Sequence, residues 1–387
     1  MKTRIPKLVA VSVVAAGTVV ASMSAHAADP EKFSIGALLA MTGSSPQYGK
    51  VMQEAIQLAI DETNEAGGID GIPLELHVVD HQSGSSKEAV AGMNRIISLY
   101  NVQAVLSSFS GPTLAIAPIA DREKVFVING GGTSAKLVNA SKYMVHNRVL
   151  GSELAHNIVN LAKERGFKRA ALIHRKNESG DSVKRIIEEI WPGEGRELVA
   201  VEPIAIGAAN IDTQVAKVKA SRPDVVFLAL WQPDTGLAVN RVRELKIDVP
   251  LLGVDWTQVD GNIAGEHSEG YEYVLESFNP TDGNPWAQNF SDAYEAKYGA
   301  KPDLYAANYY EGAQVIIELI RRAKAKGGDY WSGDKLYDAM WDNAEFKSVF
   351  GPTMVFDKET GLASKPLNLF QADKTGAGQF VEYVGNW

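Results

Sequence analysis

From Phe33 onward, the sequence alternates short apolar runs with longer amphipathic runs, and this alternation is what most restricts the possible folds. The first pair is residues 33–39 followed by residues 49–66, in which small and aliphatic side chains recur every three to four positions. The glycine-rich residues 67–71 end the second run, because glycine adopts the backbone angles that follow a helix. The pair therefore predicts one strand followed by one helix.

The same rhythm continues to about residue 254, and the C-terminal third is mainly helical. The predicted strands are residues 74–80, 104–107, 125–128, 170–174, 225–230, 251–254, 367–371 and 380–383. The predicted helices are residues 87–100, 113–123, 150–165, 181–190, 213–220, 235–245, 286–298, 304–326 and 334–341. Near-continuous apolar strands such as VVFLAL indicate parallel sheets covered on both faces, so the predicted class is α/β. In such sheets, ligands bind at the carboxyl ends of the strands.

The first 27 residues have the organisation of a secretory signal peptide. Three basic residues precede an apolar run at residues 8–21, which is followed by the small-x-small sequence Ala25, His26, Ala27. A retained anchor helix is the alternative, although the apolar run is short for a membrane span. We therefore predict cleavage after Ala27 and export to the periplasm.

The net charge and the cysteine content exclude several classes of binding partner and of membrane attachment. The chain of 387 residues is long enough for two domains and has a net charge of −9, which becomes −12 once the three basic residues of the leader are removed. Such an acidic protein is a poor partner for nucleic acid or anionic lipid. Without cysteine it forms no disulfide and carries no lipid on a cysteine. These features predict a soluble exported protein that does not insert into the membrane.

Three loops that follow predicted strands in the first half carry candidate binding residues. Tyr48 precedes a helix in a glycine-containing loop, and Ser110 lies at the start of another helix, whose free N–H groups attract a carboxylate. The sequence NGGGTS places Gly131 and Thr133 where carbonyl and hydroxyl oxygens suit an ammonium group. An ordinary loop tyrosine, helix capping by Ser110 and a mobile glycine loop are the plain alternatives.

The second half offers two tryptophans and an acid after neighbouring strands. Trp231 follows VVFLAL, and Asp255 and Trp256 follow LLGV. The acid could pair with a ligand cation and the indoles could cover an apolar or cationic group. Helix capping by Asp255 and core packing by the tryptophans remain the alternatives.

Catalytic and metal-binding motifs are weak by comparison. His77 and His81 share a strand face, but Asp80 does not, and the sequence suggests no third metal ligand. The GxSxG motif is missing, and His174 with the polar residues 177–181 is the best acid–base candidate. We expect a binding protein that is not an enzyme and that holds no cofactor.

The loops just described, together with QYG, ETNEAGGIDG, VVDHQS, FSGPT and INGGGTS in that order, resemble those of the leucine/isoleucine/valine-binding protein family. Its members are the periplasmic solute receptors of branched-chain amino-acid ABC importers. The resemblance implies two Rossmann-like lobes with parallel sheets, joined by a three-segment hinge that crosses near Arg148, Ser277 and Gly361. Lobe 1 would comprise residues 28–147 plus 278–360, and lobe 2 residues 148–277 plus 361–387, with the ligand enclosed between them.

The resemblance also implies roles for individual residues. Ser110 resembles the serine that binds the ligand's α-carboxylate. Thr133, with the carbonyl of Gly131 or its neighbour, resembles the position that receives the α-ammonium. Asp255 stands where the family has a glutamate that pairs with the same ammonium.

Aromatic residues complete the implied pocket. Tyr48, Trp231 and Tyr305 stand at family positions that line it, whereas Ser179 replaces a tyrosine and Trp256 replaces a glycine. The expected ligand is a branched-chain, other apolar or aromatic amino acid, and an amide, urea or an aromatic carboxylate is the alternative. The expected partner is the membrane permease of an ABC transporter. The protein itself is expected to be a monomer. The rival functions are those of a periplasmic hydrolase and of a sensor input protein.

Overall fold

The structure is a computed structural model that describes Met1 and residues 29–276, 278–280 and 283–386. Beyond Met1, the predicted signal peptide lies outside the described residues, as does the predicted hinge crossing at Ser277. Within the described part of the chain, no helix has both the length and the apolar composition needed to cross a membrane.

The described residues alternate strands and helices, as the apolar pattern predicts. The strands are β1 (Phe33–Leu39), β2 (Leu74–Asp80), β3 (Ala104–Ser107), β4 (Phe126–Asn129), β5 (Met144–His146), β6 (Arg169–Arg175), β7 (Glu197–Ile204), β8 (Val225–Ala229), β9 (Leu251–Gly253), β10 (Glu272–Glu276), β11 (Glu345–Lys347), β12 (Thr353–Val355), β13 (Pro366–Ala372) and β14 (Gly378–Asn386). The helices are α1 (Pro46–Glu65), α2 (Ser86–Tyr100), α3 (Ser110–Glu123), α4 (Gly151–Glu164), α5 (Glu178–Ile190), α6 (Asp212–Ser221), α7 (Asp234–Glu244), α8 (Gln258–Ala264), α9 (Pro285–Tyr298), α10 (Leu304–Lys326) and α11 (Gly333–Asp342).

The strands form two large sheets, which confirms the α/β class and the two lobes. The first sheet has the order β2-β1-β3-β4-β5 and is parallel throughout. The second has the order β14-β13-β10-β9-β8-β6-β7. We call the parts of the chain around these sheets lobe 1 and lobe 2; α10 and α11 pack on the first sheet and belong to lobe 1.

The second sheet differs from the expectation of purely parallel strands. Strands β6 to β10 are parallel, but β13 pairs antiparallel with β10, and β14 pairs antiparallel with β13. Residues 373–377 connect the last two strands, and so short a connection can join only antiparallel neighbours, because a parallel crossover needs a dozen or more residues.

Segments that pass between the lobes lie side by side. His146 donates its N–H to Gly361 O at 2.8 Å, and Ala363 donates to His146 O at 2.8 Å. Val149 donates to the carboxylate of Glu276 at 2.8 Å. The lobe boundaries given by the resemblance stay a prediction. These bonds join residues 146–149 to residues 361–363 and to Glu276, which are the segments near the three predicted crossings.

Three helices begin three residues earlier than predicted: α1, which starts at Pro46, α3 and α5. Helix α3 starts at Ser110, directly after Phe109, whose φ of 61° turns the chain out of β3. Helix α5 starts at Glu178, and the side chain of Asn177 caps it by accepting the N–H of Gly180 at 2.9 Å. As a result, Ser110 and Ser179 both lie in the first turn of a helix, and the two helix starts face each other across the lobes.

Candidate ligand-binding cleft

A small cavity of about 20 Å³, partly open to solvent, lies between the lobes at the carboxyl ends of the parallel strands. Six of the nine predicted site residues line it. The lining residues are Tyr48, Met52, Phe109, Gly131, Thr133, Arg175, Asn177, Ser179, Trp231 and Tyr305. Both lobes contribute to the wall, so a ligand in this cavity would be held by each of them.

One side of the cavity is an aromatic wall. The rings of Tyr48 and Tyr305 meet edge to face with centroids 4.8 Å apart, and Tyr48 meets Phe109 in the same way at 5.7 Å. Met52 adds a flexible apolar side chain. Such a wall is complementary to an apolar or aromatic ligand body.

The cleft is closed in this structure. Ser134 Oγ in lobe 1 donates to Glu178 Oε1 in lobe 2 at 2.9 Å. The N–H of Ala135 donates to Ser182 Oγ at 3.0 Å. The two helix starts are also joined, because Ser110 Oγ and Ser179 Oγ lie 2.8 Å apart. The lobes therefore hold one another through hydroxyl groups at the rim of the cavity.

The hydroxyl of Ser110 is occupied by these protein contacts. It accepts the N–H groups of Thr133 and Ser134, each at 2.9 Å. These two bonds use both of its lone pairs, so its own hydrogen is directed to Ser179. Ser110 does not line the cavity, and the neighbouring Phe109 does. Its predicted contact with a ligand carboxylate stays a prediction, which would require the hydroxyl to release one of these partners.

Arg175, at the end of β6, lines the cavity and is not among the residues predicted from the sequence. Its side chain is 3% exposed and forms an ion pair with Asp234 Oδ2 at 2.8 Å. One terminal nitrogen also donates to the carbonyl oxygens of Trp231 and Gln232, and the guanidinium lies 5.8 Å from the Trp231 ring centre. Its Nε has no hydrogen-bond partner among the described residues. The available signal was an arginine at the end of an otherwise apolar strand.

Asp255 lies behind the cavity wall. It follows β9, its side chain is 0% exposed, and its Oδ1 accepts the hydroxyl hydrogen of Tyr305 at 3.0 Å. Arg148 Nη2 lies 3.6 Å from the same oxygen, whereas Oδ2 has no hydrogen-bond partner in the described part of the chain. Burial raises the pKa of the Asp255 carboxyl to about 6, and the charge of Arg148 opposes this shift.

Trp256 also lies outside the cavity lining, and its predicted place in the ligand site stays a prediction. Its indole Nε1 donates to Gly376 O at 2.9 Å, and its ring packs against Tyr271 with centroids 4.7 Å apart. A buried indole N–H needs an acceptor, and the β13–β14 connection provides one. The tryptophan therefore turns toward the C-terminal strands.

This arrangement can be compared with known proteins. The model of the family described as "Periplasmic binding protein" matches residues 32–377. The chain is a member of this family of periplasmic binding proteins. The resemblance inferred from the loops is thereby confirmed, and the family implies a periplasmic location.

Relatives of this periplasmic binding protein serve ABC transporters. The leucine-, isoleucine-, valine-, threonine- and alanine-binding protein of Pseudomonas aeruginosa is 23% identical over 319 residues, which cover 80% of this chain and 83% of the relative. A substrate-binding protein of a branched-chain amino-acid transporter from Streptococcus pneumoniae, solved with isoleucine, superposes with a TM-score of 0.79 at 24% identity, covering 90% of this chain and 99% of the other. A solute-binding protein from Rhodopseudomonas palustris, solved with 3,4-dihydroxybenzoic acid, has a TM-score of 0.79 at 18% identity, covering 92% and 98%.

The histidines considered above as metal-binding or acid–base candidates make ordinary structural contacts in this binding protein. The ring of His77 stacks on Tyr100 with centroids 3.9 Å apart, and His81 Nε2 lies 2.8 Å from Ser108 Oγ. Burial lowers the pKa of His81 to about 4, so it is neutral at pH 7. His174 is buried and lies 3.5 Å from the partly exposed Asp181. Among the described residues, no cluster of three or more His, Cys, Asp or Glu could hold a metal ion. Family members are substrate-binding transport proteins, which supports a role without catalysis.

Proposed function

We propose that this periplasmic binding protein captures a small carboxylate with an apolar or aromatic body and delivers it to the permease of an ABC importer. The observation that carries this proposal is the composition of the cavity wall, in which Arg175 faces an aromatic surface. The guanidinium suits the carboxylate, and the rings of Tyr48, Phe109, Trp231 and Tyr305 suit the rest of the ligand. Lobe closure would then exclude water from both contacts.

Unpaired polar atoms at the cavity favour a ligand that accepts hydrogen bonds. Within the described residues, three cavity-lining side chains have buried polar atoms without hydrogen-bond partners: Arg175 Nε, Thr133 Oγ1 and the hydroxyl of Tyr48. The Nε–H can only donate, and the two hydroxyls can donate as well as accept. Buried donors are normally paired, so three unpaired groups at one cavity support a ligand with oxygen acceptors.

An amino acid is the second candidate. Asp255 Oδ2 is buried without a hydrogen-bond partner in the described part of the chain, and it could accept a bond from an α-ammonium group. The roles predicted for Asp255, Thr133 and Gly131 in binding that ammonium stay proposals. The named relatives allow either ligand class, because an isoleucine complex and a dihydroxybenzoate complex share this fold.

The test is a melting-temperature series on protein that has been unfolded and refolded to remove carried-over ligand. The ligands are benzoate, 4-hydroxybenzoate, 4-methylpentanoate, leucine, phenylalanine, urea and benzamide. A ligand at a thousand times its dissociation constant adds about 4 kcal/mol of stability, which is enough for a shift of several degrees.

We expect one or more of the carboxylates to shift the melting temperature and benzamide and urea to leave it unchanged. Equal shifts by benzoate and benzamide would contradict the proposed role of the carboxylate. Shifts by leucine or phenylalanine alone would favour the second candidate. Substrate turnover during incubation would instead indicate the rival hydrolase.

A further inference from the structure

Three acids lie near the cavity wall, and each has at least one partner within the protein, although Asp255 Oδ2 has no hydrogen-bond partner in the described part of the chain. Asp234 is paired with Arg175 at 2.8 Å. Asp260 accepts the N–H groups of Gly236 at 2.9 Å and of Thr257 at 3.0 Å. Asp255 accepts the hydroxyl hydrogen of Tyr305 and lies beside Arg148. The cavity lining therefore contains a cation, Arg175, and no acid among the described residues.

Arg148 supplies a cation within the protein beside Asp255, with its Nη2 3.6 Å from Asp255 Oδ1. Its side chain is 0% exposed, and its Nη1 lies 3.1 Å from Glu276 Oε2. The guanidinium carbon is 5.1 Å from the ring centre of Tyr305, which lines the cavity. Arg148 thus lies against the outer side of the cavity wall, between two acids that have no exposure to solvent.

We propose that Arg148 determines ligand specificity: as the internal counter-ion of Asp255, it makes the cleft accept carboxylates that lack an α-ammonium group and reject amino acids. This inference rests on the proposed function, because it concerns the second charged group of a ligand whose carboxylate is already bound.

The physical reason is the cost of a second buried cation. An α-ammonium approaching Asp255 would lie near the guanidinium of Arg148, and like charges repel strongly where water is excluded. The ammonium would also lose its hydration and would have to share a carboxylate that is already paired. A deaminated ligand avoids both costs and leaves the Arg148–Asp255 pair intact.

The test compares matched ligands with and without the ammonium: phenylalanine with 3-phenylpropanoate, leucine with 4-methylpentanoate, and alanine with propanoate. Arg148→Met alone leaves two buried acids unpaired and risks unfolding, so the variant is Arg148→Met/Glu276→Gln. The glutamine keeps the oxygen that accepts the N–H of Val149. Calorimetry measures the six dissociation constants, and circular dichroism verifies the fold.

In the parent protein, we expect the deaminated ligand to bind at least about tenfold more tightly than its amino acid in the pair that fits best. The double variant should lower that preference by at least about tenfold, because Asp255 then lacks a counter-ion. Adding Asp255→Asn should restore the preference, since the acid that attracts the ammonium is removed.

The possible failures are distinguishable. If the parent binds no member of any pair and no carboxylate in the melting series, the proposed function fails. If the parent binds an amino acid at least as tightly as its deaminated partner, the proposed function stands and the role of Arg148 is overturned. An unchanged preference in a folded double variant also overturns it.

Discussion

Replacing Arg175 by methionine is expected to weaken carboxylate binding by about thirtyfold or more, because losing one partner of a buried charge-assisted pair costs about 2–5 kcal/mol. Methionine retains an apolar side chain to cover Trp231 but removes the Nε–H, which has no hydrogen-bond partner among the described residues. The dissociation constant is measured by calorimetry with the carboxylate that gives the largest melting shift.

The control must separate ligand binding from folding, because Arg175→Met leaves Asp234 buried without its cation. The double variant Arg175→Met/Asp234→Asn removes that charge while the asparagine oxygen still accepts the N–H of Gly207. Arg169 at the start of β6 provides the matched control, since it forms an exposed ion pair with Glu197 and does not line the cavity. Arg169→Met should bind normally. Normal binding by the folded double variant would contradict the assignment of Arg175.

Replacing Lys365 by methionine is expected to lower the free energy of unfolding by about 3–5 kcal/mol, because the change leaves a buried acid without its counter-ion. Lys365 is 0% exposed, and its Nζ lies 2.6 Å from Glu311 Oε1 and 2.6 Å from Asn308 Oδ1. Both partners belong to α10 in lobe 1, whereas Lys365 comes directly before β13 of lobe 2. Urea denaturation monitored by circular dichroism gives the free energy.

A double variant that also neutralises Glu311 shows whether the loss of stability comes from the unpaired charge or from lost packing. Lys365→Met/Glu311→Gln removes both charges, and one glutamine oxygen can still accept the bonds from Ser348 Oγ and the N–H of Val349. This double variant should recover most of the lost stability. Lys335→Met is the exposed control, and it should cost less than about 1 kcal/mol. If Lys335→Met and Lys365→Met cost the same, the buried pair does not stabilise the hinge.

Much of the fold could be predicted because its signals are local. The continuous apolar residues of β8 and the long periodic pattern of α10 each identify one element without knowledge of its neighbours. The antiparallel arrangement of β13 and β14 could not be predicted in this way, because both strand directions produce the same apolar pattern. The length of their connection decides it, and strand ends are where sequence patterns are least informative.

The site was partly predictable for the same reason. Tyr48, Thr133 and Trp231 follow strands and therefore lie at the carboxyl ends of the sheets, where the cavity is. Ser110 also follows a strand, but the early start of α3 turns its hydroxyl toward backbone N–H groups. The direction of a side chain in a first helical turn depends on where the helix begins, and the sequence pattern misplaced that start.

The two arginines could not be predicted from local patterns. Arg175 and Arg148 act through acids that are distant in the sequence, Asp234 and Asp255, and the fold alone brings each pair together. In the sequence, Arg175 resembles the polar end of an apolar run, and Arg148 resembles an ordinary polar residue between Asn147 and Val149. Their roles depend on complete burial, which turns an ordinary surface charge into one that requires a partner.

The most direct test of the central claim is a crystal structure of the refolded protein with the carboxylate that gives the largest melting shift. We expect a closed cleft with a ligand carboxylate oxygen within about 3.2 Å of Arg175 Nε and the ligand body against Tyr48, Phe109 and Tyr305. Arg148 should remain beside Asp255. A ligand whose carboxylate lies away from Arg175, or whose nitrogen binds Asp255 in place of Arg148, would contradict the account.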